Sequence, residues 1–322
     1  MAGGIPPDLL SVSSSVSEAL TAGRPTVALE TTLVTHGFPA NEGLELALEL
    51  EDLVREEGAV PATIGVLGGR LIVGLTAAEI QRLAESPGVV KLNLGNLAGG
   101  VTSGQAGSTT VAATLVAAHR AGVRIMATGG IGGVHRKVTE TGDISADLIA
   151  LSRFPVAVVC AGAKAVLDLS RTMEALETLG VPVYGYGTDH LPAFYRRDSG
   201  LPLDRGFQDL EELAAAIRVH FGLGVGTGVV VANPIATEYE MPAELYEHAL
   251  DRALAELTEN PVRGREVTPL LLSRLRELTA GESTFSNKAL LRGNVRLAAR
   301  LAAGLGRSGP QAGKSASISP AD

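Results

Sequence analysis

The chain predicts an α/β fold of the three-layer α/β/α kind, with a central mixed, largely parallel β-sheet. Three observations carry that expectation. Apolar, β-branched runs alternate with helix-period segments from end to end. Runs such as PVAVVC are apolar at successive residues, as in strands covered on both faces. One pair of runs is separated only by Gly68-Gly69, a two-residue hairpin turn that makes part of the sheet antiparallel.

In chain order, Pro25–Leu33 reads as a strand and Glu42–Glu57 as a helix. Ala62–Leu67 and Arg70–Leu75 form the hairpin, and Thr76-x-x-Glu79 is a capping box for a helix through Ala84. Val89–Leu94 is a strand, Gly99–Thr110 a Gly/Ser/Thr-rich loop, and Val111–Arg120 a helix rich in Ala and Val. Further strands are expected at Val123–Thr128, Pro155–Cys160, Pro182–Tyr186 and Thr227–Ala232. Helices are expected near Val166–Leu179, Gln208–Phe221, Pro242–Glu259, Thr268–Leu278 and Asn287–Leu305. No repeat and no linker divides the first 305 residues, so one catalytic domain (1–305) and a disordered polar tail (306–322) are expected.

Composition narrows the function classes. A mean hydropathy of +0.23 over 322 residues excludes general disorder. The longest uncharged apolar stretches, Pro155–Gly162 and Gly222–Ala232, are short of the roughly 18 residues a membrane helix needs. The start, MAGGIPPDLL, does not read as a secretory signal. The single cysteine, Cys160, rules out a disulfide framework or a thiolate metal cage and suits a reducing cytosol. A net charge of −8, no tryptophan and 3% aromatics disfavour nucleic-acid binding. The expectation is a cytoplasmic enzyme acting on a small molecule, with no nucleic-acid or membrane partner.

Only five lysines stand against 22 arginines, and a lysine amine, unlike a guanidinium, can act as a nucleophile. Lys164 follows an unbroken apolar strand in PVAVVCAGAK. Burial there would disfavour the charged ammonium, and a neutral amine at a strand's carboxyl end suits a Schiff-base nucleophile. A lysine that merely reaches out to solvent is the other reading. Glu30 interrupts the apolar run VALETTL, either as a salt-bridge partner or as an acid/base with a tuned environment. His36, six residues on, either titrates or caps a turn.

The loop Gly99–Thr110 running into the helix at Val111 suits an anion at a helix N-terminus, though it lacks the G-K-[ST] ending of a P-loop. Lys91, in the preceding strand, adds positive charge. A second glycine cluster, ATGGIGGVHR, does not fit G-x-G-x-x-G, which argues against a dinucleotide fold. In TGDISADL, Asp143 and Asp147 are four apart, on one face if helical, with Ser145 between them. They either ligate a hard cation such as Mg²⁺ or Mn²⁺ or cap the next helix.

Taken together, the runs VALETTLVTHGFP, GSTTVAAT, ATGGIGGVHR, DISADL, VVCAGAK, VVVANPI, TPLLL and SNKALL resemble the pseudouridine-5′-phosphate glycosidase family from about Ser17 to Gly304. The resemblance implies α/β/α homotrimers with one Mn²⁺ per subunit, other divalent metals being possible. It implies reversible cleavage of the C–C glycosidic bond of pseudouridine 5′-phosphate to uracil and ribose 5-phosphate. By resemblance, Lys164 is the nucleophile forming an imine with C1′, Glu30 the proton donor and Asp143 the metal ligand. Lys91, Val111, Ser145, Ala146, Asp147 and Asn287 match substrate contacts. One departure stands out: where the family has K-[VC]-S-x-R-[DE]-[LI], this chain reads Lys91-Leu-Asn-Leu-Gly-Asn-Leu97, so Gly95 and Asn96 replace an arginine and an acid. Alternatives are a phosphosugar aldolase using the same imine, or a non-catalytic phosphosugar-binding regulator.

Overall fold

The computed structural model describes residues 9–259, 262 and 267–306. The strands are β1 (Leu10–Val12), β2 (Thr26–Leu29), β3 (Val60–Leu67), β4 (Arg70–Val73), β5 (Val90–Leu92), β6 (Gly107–Thr109), β7 (Ile125–Ala127), β8 (Ala157–Cys160), β9 (Val183–Tyr186), β10 (Arg205–Phe207) and β11 (Val229–Ala232). The helices are α1 (Ser14–Thr21), α2 (Ala40–Glu56), α3 (Ala77–Glu85), α4 (Leu97–Thr102), α5 (Val111–Ala121), α6 (Val138–Thr141), α7 (Ala146–Leu151), α8 (Leu169–Thr178), α9 (Leu210–Gly222), α10 (Ala243–Glu259), α11 (Val267–Leu278) and α12 (Glu282–Gly306).

The sheet runs in the order β1-β4-β3-β2-β7-β8-β11-β9-β10, with β6 added beside β3 and β5 beside β6. Neighbours are parallel except where β3 meets β4 and β6, so the mixed, largely parallel sheet is as expected. β2, β7, β8 and β11 are buried at every residue, because helices cover both faces. α12 packs with α2 and α9 and lies across β2, β7 and β8, while α5 with α7 covers β2 and β7 from the other side. The capping box forms as read: Thr76 Oγ1 accepts from the Glu79 amide, and the Glu79 carboxylate accepts from the Thr76 amide.

Differences from the sequence reading are local. The glycine-rich stretch 99–110 is not one loop: it holds most of α4 and the strand β6. β2 ends at Leu29, four residues early, and the chain turns away through a π-helical turn, Leu33–Gly37. Asn287 lies within α12, which begins five residues earlier than expected, at Glu282. β1, α1 and β10 were not anticipated. The tail from 307 onward lies outside the described residues.

Candidate active site

The chain runs from β2 to β3 on one side and returns through β7 to the other, so the sheet's switch point lies between β2 and β7. In an open α/β sheet, ligands bind in the crevice outside the carboxyl ends of the strands at that point. Glu30 is the first residue past β2. It is buried, but no salt bridge holds it among the described residues. Instead its carboxylate accepts from the Thr32 hydroxyl, from the Leu33 amide (3.3 Å) and from the Thr128 hydroxyl (3.1 Å). Where β2 leaves the sheet, β6 takes its place beside β3. The Thr109 amide donates to Thr31 Oγ1 (2.9 Å), and Thr31 Oγ1 donates to the Ile64 carbonyl (2.7 Å).

β7 and β8 extend the crevice floor. Past β7 come Thr128 and Gly129–Gly133, whose glycines are there for close approach. A Cβ on Gly132 would stand 2.1 Å from Ser145 Oγ, and one on Gly130 2.7 Å from the Phe194 ring. Past β8, Gly162 at φ +83° turns the chain beneath the Pro192 carbonyl, a conformation that favours glycine. The Lys164 amide then donates to the Ile131 carbonyl (3.0 Å), which fixes the lysine beside the glycine cluster. Lys164 is half-buried, not sealed in as its sequence neighbours suggested, although Ala163 and Ala165 on either side are buried. No side-chain hydrogen bond or ion pair engages its amine among the described residues. Cys160, fully enclosed at the strand end, is no rival nucleophile, since burial pushes its thiol up to about 12.

Three adjoining cavities follow the crevice. The central pocket, about 60 Å³, is lined by Glu30, Lys91, Thr128, Lys164 and Asn287, among others. On one side a cavity of about 210 Å³ is lined by Lys91, Thr110, His135, Asp143, Ser145, Ala146, Asp147 and Lys164. On the other a cavity of about 260 Å³ lies between the π-helical turn, α11 and α12. His36, half-buried in that turn with Nδ1 2.6 Å from Thr35 Oγ1, borders the central pocket and the larger cavity. The structure thus brings Glu30, Lys164, Lys91 and Asn287 to one pocket, and Asp143, Ser145, Ala146 and Asp147 to the cavity beside it.

One spacing-based reading changes. Asp143 and Asp147 do not share a helical face: α7 starts at Ala146, capped by Ser145 Oγ, and Asp143 lies outside it. Asp147 is buried with both oxygens occupied, accepting from the Ala112 amide (2.9 Å) and the Gly132 amide (2.8 Å). It latches the start of α5 to the glycine cluster. Ser145, Ala146 and Asp147 all line the cavity. Val111 is a core side chain at the head of α5, where what it can offer a ligand is a helix-terminal amide.

Among the described residues no three His, Cys, Asp or Glu side chains cluster to hold a metal. Asp143 remains partly exposed on the cavity wall, with His135 Nδ1 3.9 Å from its carboxylate. One carboxylate with waters and substrate oxygens suits Mg²⁺ or Mn²⁺, which keep much of their hydration. Burial lowers the His135 pKa, the Asp143 carboxylate opposes this, and Lys164 and Lys91 lower it further.

Sequence reasoning missed Thr128, His135 and Phe194. Phe194 holds φ +64° and packs its ring on Gly130, with its amide donating to the Ala161 carbonyl (3.0 Å). Nothing local in HLPAFYRR marks it. The Gly95/Asn96 departure forms a closed turn: Asn96 donates to the Lys91 carbonyl (3.0 Å) and accepts from the Asn93 amide (2.7 Å).

Fold and site define an α/β enzyme whose cleft, carrying an acid and an amine, opens at the carboxyl ends of a parallel sheet. The family described as "Indigoidine synthase A like protein" matches residues 15–304. A relative from Methylobacterium nodulans, named pseudouridine-5′-phosphate glycosidase, is 50% identical over 97% of this chain and 94% of its own. One of the same name from Caldanaerobacter subterraneus is 44% identical over 92% and 97%. Among solved structures, the prealnumycin C-glycosynthase AlnA in complex with ribulose 5-phosphate superposes with a TM-score of 0.86. It is 40% identical, covering 94% of this chain and 98% of that one. An indigoidine synthase A-like protein from Thermotoga maritima gives the same TM-score at 32% identity, covering 95% and 100%. The chain belongs to this family, that of the pseudouridine-5′-phosphate glycosidases.

Proposed function

We propose that this protein reversibly cleaves the C–C glycosidic bond of pseudouridine 5′-phosphate, releasing uracil and ribose 5-phosphate. The observation that carries the reading is one carboxyl group and one unpaired primary amine in the same pocket, at the sheet's switch point. Ordinary glycosidases expel an oxygen or nitrogen with two carboxylates. A carbon leaving group gains nothing from protonation of oxygen and needs an electron sink. In the proposed reaction the Lys164 amine adds at C1′ and the sugar ring opens. Glu30 then gives a proton to the departing uracil carbon, and water hydrolyses the remaining imine to return the lysine and free ribose 5-phosphate. Lys91 and the α5 end face the phosphate, while Asn287 and Thr128 border the base. The names of the relatives and the ribulose 5-phosphate held by the glycosynthase support this reading.

The test is borohydride reduction in the presence of ribose 5-phosphate, followed by peptide mass mapping. An adduct on Lys164 is expected, with no turnover by Lys164→Ala and the fold retained. Normal rates in Lys164→Arg would refute the imine. We further propose that Asp143, with waters and sugar hydroxyls, holds a divalent cation such as Mn²⁺. When bound, it supplies positive charge that orients substrate oxygens. Chelation should depress uracil release, and Asp143→Ala should remove the response to added Mn²⁺; unchanged activity in a chelator would dismiss the metal.

A further inference from the structure

The proposed reaction occupies two of the three cavities in line. The anion-side cavity and the central pocket share Lys91, Lys164 and Thr268, while the central pocket and the far cavity share His36, Phe38, Leu272 and Asn287. A sugar phosphate reaching from Lys91 to Lys164 therefore directs its leaving base toward Asn287 and the far cavity. That space, about 260 Å³, is several times the central pocket's 60 Å³.

The far cavity has a defined chemistry. His36 and Arg276 lie on its wall, and among the described residues no carboxylate does. Arg276, in α11 and half-buried, makes no side-chain hydrogen bond or ion pair among the described residues. By contrast Arg274, two positions earlier in the same helix, is tied to both Glu256 and Glu277. A guanidinium stays charged at any ordinary pH and offers five donors in a planar fork. Left unpaired on a cavity wall, it is complementary to a carboxylate, which it can hold with two parallel hydrogen bonds. The hydroxyls of Ser273 and Thr284 add polar partners, and Phe38, Pro39 and Pro269 give apolar walls suited to a flat ring.

We infer that the far cavity extends the leaving-group end of the cleft and takes the carboxylate of an acidic heterocycle, with Arg276 setting that specificity. The inference rests on the reading above that the leaving group is a heterocyclic base. Nothing in the central pocket supplies this preference, because the cations there, Lys91 and Lys164, stand on the sugar side.

The test is calorimetric titration of the intact protein, in the presence of ribose 5-phosphate, with uracil and with uracil-1-acetate, whose carboxylate is carried on an arm away from the C5 atom that meets the sugar. The carboxylate should bind about tenfold more tightly, the size of one charge-assisted contact. Arg276→Gln should bring the ratio of the two affinities to about one while uracil still binds, and Arg276→Lys, which keeps the charge but not the fork, should retain part of the preference. Equal affinities in the unmodified protein, or a preference that survives Arg276→Gln, would overturn the inference. Uracil release from pseudouridine 5′-phosphate is assayed on the same preparation. Release without carboxylate preference overturns the extension alone; preference without release overturns the proposed reaction, and with it the leaving-group role, and leaves only a carboxylate site at Arg276.

Discussion

Glu30 and Lys164 show what a residue gains from its place in the chain. Each follows a strand whose backbone is locked into the sheet, so each side chain starts from a fixed position. Glu30 is further held by two hydroxyls and an amide, none of which carries charge. Replacing it by glutamine keeps its shape and its acceptor oxygen but removes the transferable proton. Glu30→Gln should lower kcat for uracil release by about 10²- to 10⁴-fold, the usual worth of a positioned acid, with KM little changed. A raised KM with kcat intact would make Glu30 a binding residue. Both residues were legible in the sequence because a charge inside an apolar run is conspicuous. Thr128 was not, because its role exists only once β7 lies beside β2, and it reaches Glu30 across 98 positions of sequence. His135 and Phe194 were hidden for the same reason.

At the scale of elements, α12 carries Asn287 into the cleft and is tied to α2 by a row of ion pairs. Lys288 meets Glu42 at 2.6 Å, Arg292 meets Glu49 at 2.6 Å, and Arg300 meets Glu57 at 2.9 Å. The hydrogen bond from Arg292 is the largest influence on Glu49 and holds its carboxyl below the usual range. A carboxyl lowered in the folded state adds stability that is present above its unfolded pKa and lost as pH falls through the folded one. The pair is more than a third exposed, so solvent screens it. Glu49→Gln should cost only about 0.5 kcal/mol at pH 7. Urea unfolding should show that difference closing as pH drops below about 4, and a difference that widened in acid would contradict the assignment. The long helices, the hairpin and the capping box were readable because period and turn chemistry are local. β6, three residues reading Gly-Ser-Thr, was not: its strand character comes from filling the place β2 vacates.

For the whole molecule, the decisive feature is the reversal of strand order between β2 and β7, since it gathers residues from distant segments at one crevice. Alternation of strand and helix gave the layered architecture, but not the order of the strands, which depends on long-range pairing. The family resemblance also implies a homotrimer, and we propose one. Sedimentation should give a species of three times 33.1 kDa, and a monomer at working concentration would dismiss it. Finally, the Asp147 latch shapes how the crevice handles charge. A helix start ordinarily lends a bound anion about half a positive charge. Here a carboxylate already accepts from the Ala112 amide in the first turn of α5 and takes up part of that help. For the phosphate of the proposed substrate, the neutralising burden therefore shifts toward the Lys91 ammonium, which makes that proposed grip a matter of a movable side chain and less one of rigid scaffold.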